Sequence, residues 1–175
     1  MGISYDKVNT YMAASAAFTP GAATEDAFTI TGSATTNVYV LKMGLSTTQG
    51  TAGVNPWFIK KRSTANSGGT AANIVEVPLQ SGNSAATATV LSYTVTATGV
   101  GTVIAPLWSG WVDSPKVDTT GTGNCGIIVD FETMLGQPVA LLSTSEVLSW
   151  SFNAGTVPAS LSVLAWVLWC ESSKT

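Results

Sequence analysis

Acidic pairs are the first place to look for chemistry in this chain. Asp130 and Glu132 stand two residues apart, so a strand would put them on one face. A carboxylate pair there can serve glycoside hydrolysis or hold a divalent cation. The plainer reading is a strand end whose acids meet solvent or a neighbouring lysine. Asp113 and Asp118 bracket a polar stretch and offer oxygen ligands for Ca²⁺, but the alternating acids around a central glycine that mark a calcium loop are missing. Gly121-Thr122-Gly123-Asn124-Cys125-Gly126 has the glycines of a phosphate loop, without the lysine that reaches phosphates or the helix that should follow. The chain has no histidine. An imidazole-activated serine or cysteine is therefore excluded, as are histidine-ligated zinc, iron and copper. No catalytic residue, cofactor or metal site is assigned, and the expectation is a protein that binds rather than one that catalyses.

Binding candidates are clearer. Three of the seven basic residues are adjacent, Lys60-Lys61-Arg62. They close the apolar run Val54-Asn55-Pro56-Trp57-Phe58-Ile59. A polar loop follows from Ser63 to Thr70, then a β-branched stretch, Asn73-Ile74-Val75-Glu76-Val77-Pro78-Leu79. The expected shape is strand, loop, strand, a hairpin with the only dense charge at its bend. Docking against an acidic patch on a partner is one use of that charge. Guarding a strand edge against aggregation is another. Phosphate binding is a third, but three charges on a chain of net charge −3 make a weak footprint, so nucleic acid is not an expected partner. The six tryptophans are Trp57, Trp108, Trp111, Trp150, Trp166 and Trp169. Trp108 and Trp111, between Pro106 and Pro115, are the expected exposed pair. Exposed indoles can stack on sugars; core or subunit-interface packing is the alternative.

The elements that must position these residues follow from composition. Charged residues are 10% of the chain, against about 25% in ordinary globular domains. The 25 threonines and 19 serines supply most of the polarity. Aliphatic and aromatic residues are plentiful, which argues against disorder, and threonine and valine suit a pleated surface. The expectation is one all-β domain with hydroxyls where charges usually stand. So little charge is unusual on a free surface, which points to oligomerisation or docking on a larger assembly. Cys125 and Cys170 are too few for a disulfide framework; pairing and two reduced thiols both remain open. The start of the chain does not read as a signal peptide, because Asp6 and Lys7 occupy the basic region and no apolar core follows. The longest apolar run, residues 161–170, is short of the roughly 20 residues a membrane helix needs, so no membrane is expected as a partner.

Residues 1–24 read as an N-terminal arm, with Tyr5, Val8, Tyr11 and Met12 at rough helical spacing and Pro20-Gly21 ending it. The single domain spans 25–175. Strand candidates cover residues 28–31, 37–43, 57–62, 74–79, 87–97, 100–108, 126–131, 139–142, 147–153 and 161–170, separated by Gly, Pro, Asn and Ser signals. Pro106 suggests an edge or a strand end. Residues 130–135 suit one short turn of helix. The spacing predicts a β-sandwich or jelly-roll-like barrel of about eight to ten strands.

The segment Phe58-Ile59-Lys60-Lys61-Arg62-Ser63-Thr64-Ala65-Asn66-Ser67-Gly68-Gly69-Thr70 resembles a hairpin of small virion proteins of tailed bacteriophages. There an apolar strand, a "KRS-T-A-N-S/T-G-G-T" loop, a Val/Pro-containing strand and an "Ala-Ala-Thr-Ala" turn follow one another; here Ile74 to Leu79 and Ala85-Ala86-Thr87-Ala88 take the last two places. The Gly136-Gln137-Pro138-Val139 turn, the strand 146–153 and a last strand carrying Trp166 and Trp169 extend the similarity over residues 40–170. Residues 161–170 depart from it by lacking charge. The resemblance implies a small β-sandwich or jelly roll, frequently a trimer. It implies a virion location after synthesis in the host cytoplasm, with the major capsid protein or other virion proteins as partners. The role implied is a capsid decoration or cement protein, contacting the shell through the arm and the 57–79 hairpin. The alternative is a tail-fibre module that binds a receptor or carbohydrate.

Overall fold

The computed structural model describes residues 8–21, 26–116, 125–152, 156–158 and 160–174. The described residues form twelve strands and one short helix. The strands are β1 (Asn9–Ala14), β2 (Asp26–Thr31), β3 (Thr36–Thr48), β4 (Gly53–Arg62), β5 (Thr70–Asn73), β6 (Val77–Pro78), β7 (Thr89–Val95), β8 (Val103–Ser114), β9 (Cys125–Asp130), β10 (Val139–Leu141), β11 (Val147–Phe152) and β12 (Ser162–Ser173). Helix α1 (Phe131–Leu135) follows β9 directly.

Two antiparallel sheets face each other, and no closed barrel forms. Sheet A runs β10-β3-β12-β1-β6, with β9 beside β10 on the same flank of β3; sheet B runs β5-β7-β2-β11-β4-β8. Eight of these strands nest as pairs: β1 with β12, β2 with β11, β3 with β9, β4 with β8. The β12–β3 and β11–β4 ladders then join the pairs into two four-stranded sheets. That nesting is the jelly-roll topology, one arm of a long hairpin rolled over the other. Strands β5, β6 and β7 lie between β4 and β8 in sequence and widen both sheets at one side.

Alternation along the strands builds the core. Val163, Ala165, Val167 and Trp169 of β12 point inward, as do Tyr11 and Ala13 of β1 and Met43 and Leu45 of β3. Sheet B answers with Phe28, Ile30, Trp57, Ile59, Leu148, Trp150 and Phe152. Trp57 meets Phe152 and Trp150 edge-on, with centroids 5.1 and 6.5 Å apart, and Tyr11 stacks on Trp169 at 5.6 Å. Burying each such side chain contributes about 2–3 kcal/mol. Phe131 begins α1 and is fully buried, while Asp130 caps the helix by accepting from Thr133 N–H at 3.1 Å and Gly136 ends it in the left-handed region at φ 73°.

Two expectations change. Within residues 1–24, the segment read as an arm with helical spacing contains β1, hydrogen-bonded between β12 and β6. Tyr11 and Ala13 alternate into the core as strand residues must, so burial at period two overrides the rough helical spacing. The 57–79 hairpin does not exist. Strand β4 has β11 on one flank and β8 on the other, and β5 lies four places away across sheet B. The polar segment after Arg62 is a crossover that folds back over sheet B, where Ser67 and Gly99 bond to each other through both N–H and C=O.

Candidate functional site

The inner residues of β12 account for only half of its apolar side chains. The outward positions are Leu164, Trp166 and Leu168; Leu164 faces Ser46, but three of the four cross-strand neighbours of the other two are apolar. One row runs Ala14, Trp166, Gly44, Ile128 across β1, β12, β3 and β9. The next runs Val77, Met12, Leu168 and then Lys42 and Asp130. Ile128 is 64% exposed, Val77 58% and Leu164 46%. The indole of Trp166 sits where Gly44 has no side chain; a Cβ there would stand 2.1 Å from it. The outer face of an antiparallel sheet is ordinarily polar. Here it is an apolar band spanning five strands, bounded by one ion pair, Lys42 to Asp130 at 2.8 Å. That hydrogen bond raises the lysine's pKa and lowers the carboxyl's. The sequence signal was the run 161–170, apolar at both parities, which marks a strand covered on both sides.

The basic triplet is divided by the fold. Arg62 is 3% exposed. Its Nε and Nη2 donate to the two oxygens of Asp26 at 2.8 and 2.9 Å, and Nη1 donates to Gly101 C=O at 2.8 Å. Asp26 also accepts from Asn66, Ser149 and Ser151 at 2.7–2.9 Å. These bonds pin the crossover loop to β11. Lys61 points the other way, to Glu146 at 2.9 Å and Ala140 C=O at 2.7 Å, tying sheet B to β10 of sheet A. Burial would raise the Glu146 carboxyl, but the Leu142 N–H and Lys61 outweigh it and hold it below its ordinary value. Lys60 alone stays on the outer face of sheet B, 5.3 Å from the Phe58 ring centre. Docking through all three is therefore corrected: Arg62 and Lys61 are structural, and only Lys60 is placed to meet a partner.

The tryptophan pair is also divided. Three residues apart on an unbroken stretch of β8, the two fall on opposite faces by alternation; Trp108 is half-buried, edge-on to Trp150 at 5.4 Å, so its expected exposure is corrected. Trp111 is 71% exposed. With Pro56, Phe58, Ser109 and Gly110 it lines an open cleft of about 370 Å³.

Asp130 and Glu132 do not form a strand pair, because the helix starts between them. Asp113 lies on β8; Asp118 and the glycine loop 121–124 lie outside the described residues. Among the described residues no three His, Cys, Asp or Glu side chains gather as metal ligands, and no helix is long and apolar enough to cross a membrane. Cys170 is a free, buried thiol, pushed up to about 11 by burial and by Glu132 and Glu171.

One carboxylate was invisible from sequence. Glu171, at 4% exposure, accepts from the N–H of Thr87 and Ala88, the hydroxyls of Thr87 and Thr36, and the indole of Trp169, all at 2.7–3.1 Å. It fixes the entry to β7 against the last strand. Burial alone would raise its carboxyl, but these donors together hold it below its ordinary value.

Fold and site together define an all-β jelly-roll sandwich whose sheet A carries, among the described residues, an apolar band on its outer face. No family model, no curated protein and no solved structure matches the chain.

Proposed function

We propose that this chain is a non-enzymatic virion protein, a capsid decoration or cement protein that lays the outer face of sheet A on a shell. The observation that carries the reading is the apolar band through Ile128, Gly44, Trp166, Leu168, Met12 and Val77. An antiparallel sheet with both faces apolar is half of a three-layer arrangement, and the third layer is supplied by the partner. Charge supports it. Lys42, Lys61 and Arg62 are already paired within the fold, and Glu171 is buried, so little electrostatic cost opposes desolvation of the band. The jelly roll is a recurrent fold of viral shells, which is support by analogy, and the sequence resemblance points the same way.

The partner in this reading is the major capsid protein, with neighbouring copies of the chain joining as a homo-oligomer, a trimer by the resemblance. Its effect is mechanical: buried area bridging shell subunits resists their separation. The test is Ile128→Glu, on the exposed face of β9. The isolated domain should keep its melting temperature while the protein is lost from purified particles. Retention of the variant at wild-type copy number, measured by quantitative mass spectrometry, would exclude sheet A as the docking face.

A further inference from the structure

The two outer faces of a sandwich point in opposite directions, and the outer face of sheet B carries a second, chemically different site. Strand β4 presents Pro56, Phe58 and Lys60 there, and β8 presents Trp111 and Ser109, with Pro56 opposite Trp111 and Phe58 opposite Ser109 in register. Pro56, Phe58, Ser109, Gly110 and Trp111 form the open cleft of about 370 Å³, within the range for small-ligand sites, and Lys60 stands beside it, two residues on from Phe58 along β4. Gly110 lines the cleft with its backbone, since it stands opposite the buried Trp57 and its Cβ would point away from the cleft, 2.6 Å from the Trp108 ring. An indole left 71% exposed forgoes burial that the rest of the core secures for its tryptophans. From this the geometry points to a carbohydrate subsite for a carboxylate-bearing pyranose, a uronic- or sialic-acid-type sugar.

Each part of the cleft matches part of such a ring. The face of an indole is electron-rich, and the axial C–H groups of a pyranose carry partial positive charge, so the ring packs flat on Trp111 with Phe58 and Pro56 beside it. Ser109 Oγ offers one donor and one acceptor to ring hydroxyls. Lys60 sits at the Phe58 end and, unlike Lys42 and Lys61, is in no ion pair among the described residues. That ammonium selects an anionic sugar over a neutral one through charge complementarity. A protein partner would need more area than this cleft, since specific protein interfaces bury about 800 Å² per side. The site does not depend on the shell reading. If sheet A does lie on a shell, this cleft faces outward, toward whatever surrounds the particle.

The experiment is an NMR titration of the isolated protein with oligosaccharides of hyaluronan, alginate and polysialic acid, and with neutral maltotetraose and chitotetraose. The acidic sugars should shift the Trp111 indole resonance and the amides of residues 56–60 and 109–111. Trp111→Ala should abolish the response. Lys60→Met should weaken it about tenfold for the acidic sugars, equivalent to about 1.4 kcal/mol, and leave the neutral ones unchanged. Both substitutions are on the surface, and an unchanged amide spectrum elsewhere verifies the fold. Silence across the acidic panel overturns the proposal, as does equal binding of neutral and acidic sugars. Loss of particle attachment in Trp111→Ala would overturn it in favour of a protein contact, whereas loss only in Ile128→Glu would leave the two sites separate.

Discussion

Arg62 meets Asp26 in a two-pronged ion pair, Nε to Oδ2 at 2.8 Å and Nη2 to Oδ1 at 2.9 Å, inside a site that excludes solvent. The pair joins β4 to the start of β2 and, through Asn66, Ser149 and Ser151, to the crossover loop and β11. Removing one partner leaves a buried charge without its counterion, which costs about 3–5 kcal/mol. Arg62→Ala and Asp26→Asn should each lower the urea midpoint by that amount of stability. Lys60→Ala, at a surface position, should stay within about 0.5 kcal/mol of wild type. Neutralising all three basic residues together would therefore report the loss of Arg62, and equal stability of the Arg62 and Lys60 variants would refute the division of the triplet.

Glu171 gives the fold an acid limit. Its carboxyl is below its ordinary value of 4.5 in the folded protein, so the unfolded chain binds the proton more readily. The stability it contributes is complete above the unfolded value and is lost as pH falls through the folded one. Glu146 acts in the same direction. Thermal midpoints should be flat with respect to these two groups at neutral pH and fall below about pH 4.5, the ordinary value of both. Glu171→Gln should flatten that acid slope while lowering stability at neutral pH. An unchanged slope would remove Glu171 from the account.

Gly44 and Trp166 form a second close relationship, on the proposed docking face. Gly44→Ala places a methyl where the indole now lies, and the ring must swing outward. The core is untouched, so the expected loss of stability is modest, about 1–3 kcal/mol as for other overpacked sites. Trp166 emission should shift to longer wavelength and particle attachment should weaken. Unchanged fluorescence would show that the ring has room to move without leaving the sheet.

Cys170 should be chemically silent in the native state. Buried and pushed up to about 11, it offers almost no thiolate at mildly alkaline pH, and the thiolate is the reactive form. Peptide mapping after iodoacetamide treatment should find Cys170 modified only when denaturant is present. Native modification at a rate near that of the unfolded chain would contradict its burial.

The strand content was legible because threonine, valine and alternation are local signals, and so was the helical turn at 131–135. The pairing was not. Residues 57–62 and 74–79 look like a hairpin because they are close in sequence and separated by turn residues. Both flanks of β4 are instead taken by strands that arrive much later, β8 and β11, and only the packed sheets reveal it. The same holds for charge. Lys60, Lys61 and Arg62 form one patch on paper, but strand alternation sends neighbours to opposite sides, and the carboxylates that claim two of them, Asp26 and Glu146, are far away in sequence. The apolar face of sheet A was readable in residues 161–170, whose hydrophobicity at both parities says that two surfaces need covering. Trp108 and Trp111 are three residues apart, so alternation alone sends them to opposite faces, and reading them as one exposed pair overlooks that parity.

The nested pairing of the jelly roll also sets a timetable. The β4–β8 ladder can form early in synthesis, but β3 waits for β9, β2 for β11 and β1 for β12. Sheet A has its central strand only after residue 173 has left the ribosome. Until then β1 and β3 have unpaired edges and the apolar side chains of both faces are exposed. Folding dominated by such distant partners is slow, and the waiting chain is at its most aggregation-prone while it lasts. A nascent chain with so few charges has little repulsion to keep copies apart, so its yield in the cell should depend on chaperone capacity more than on the stability of the finished fold.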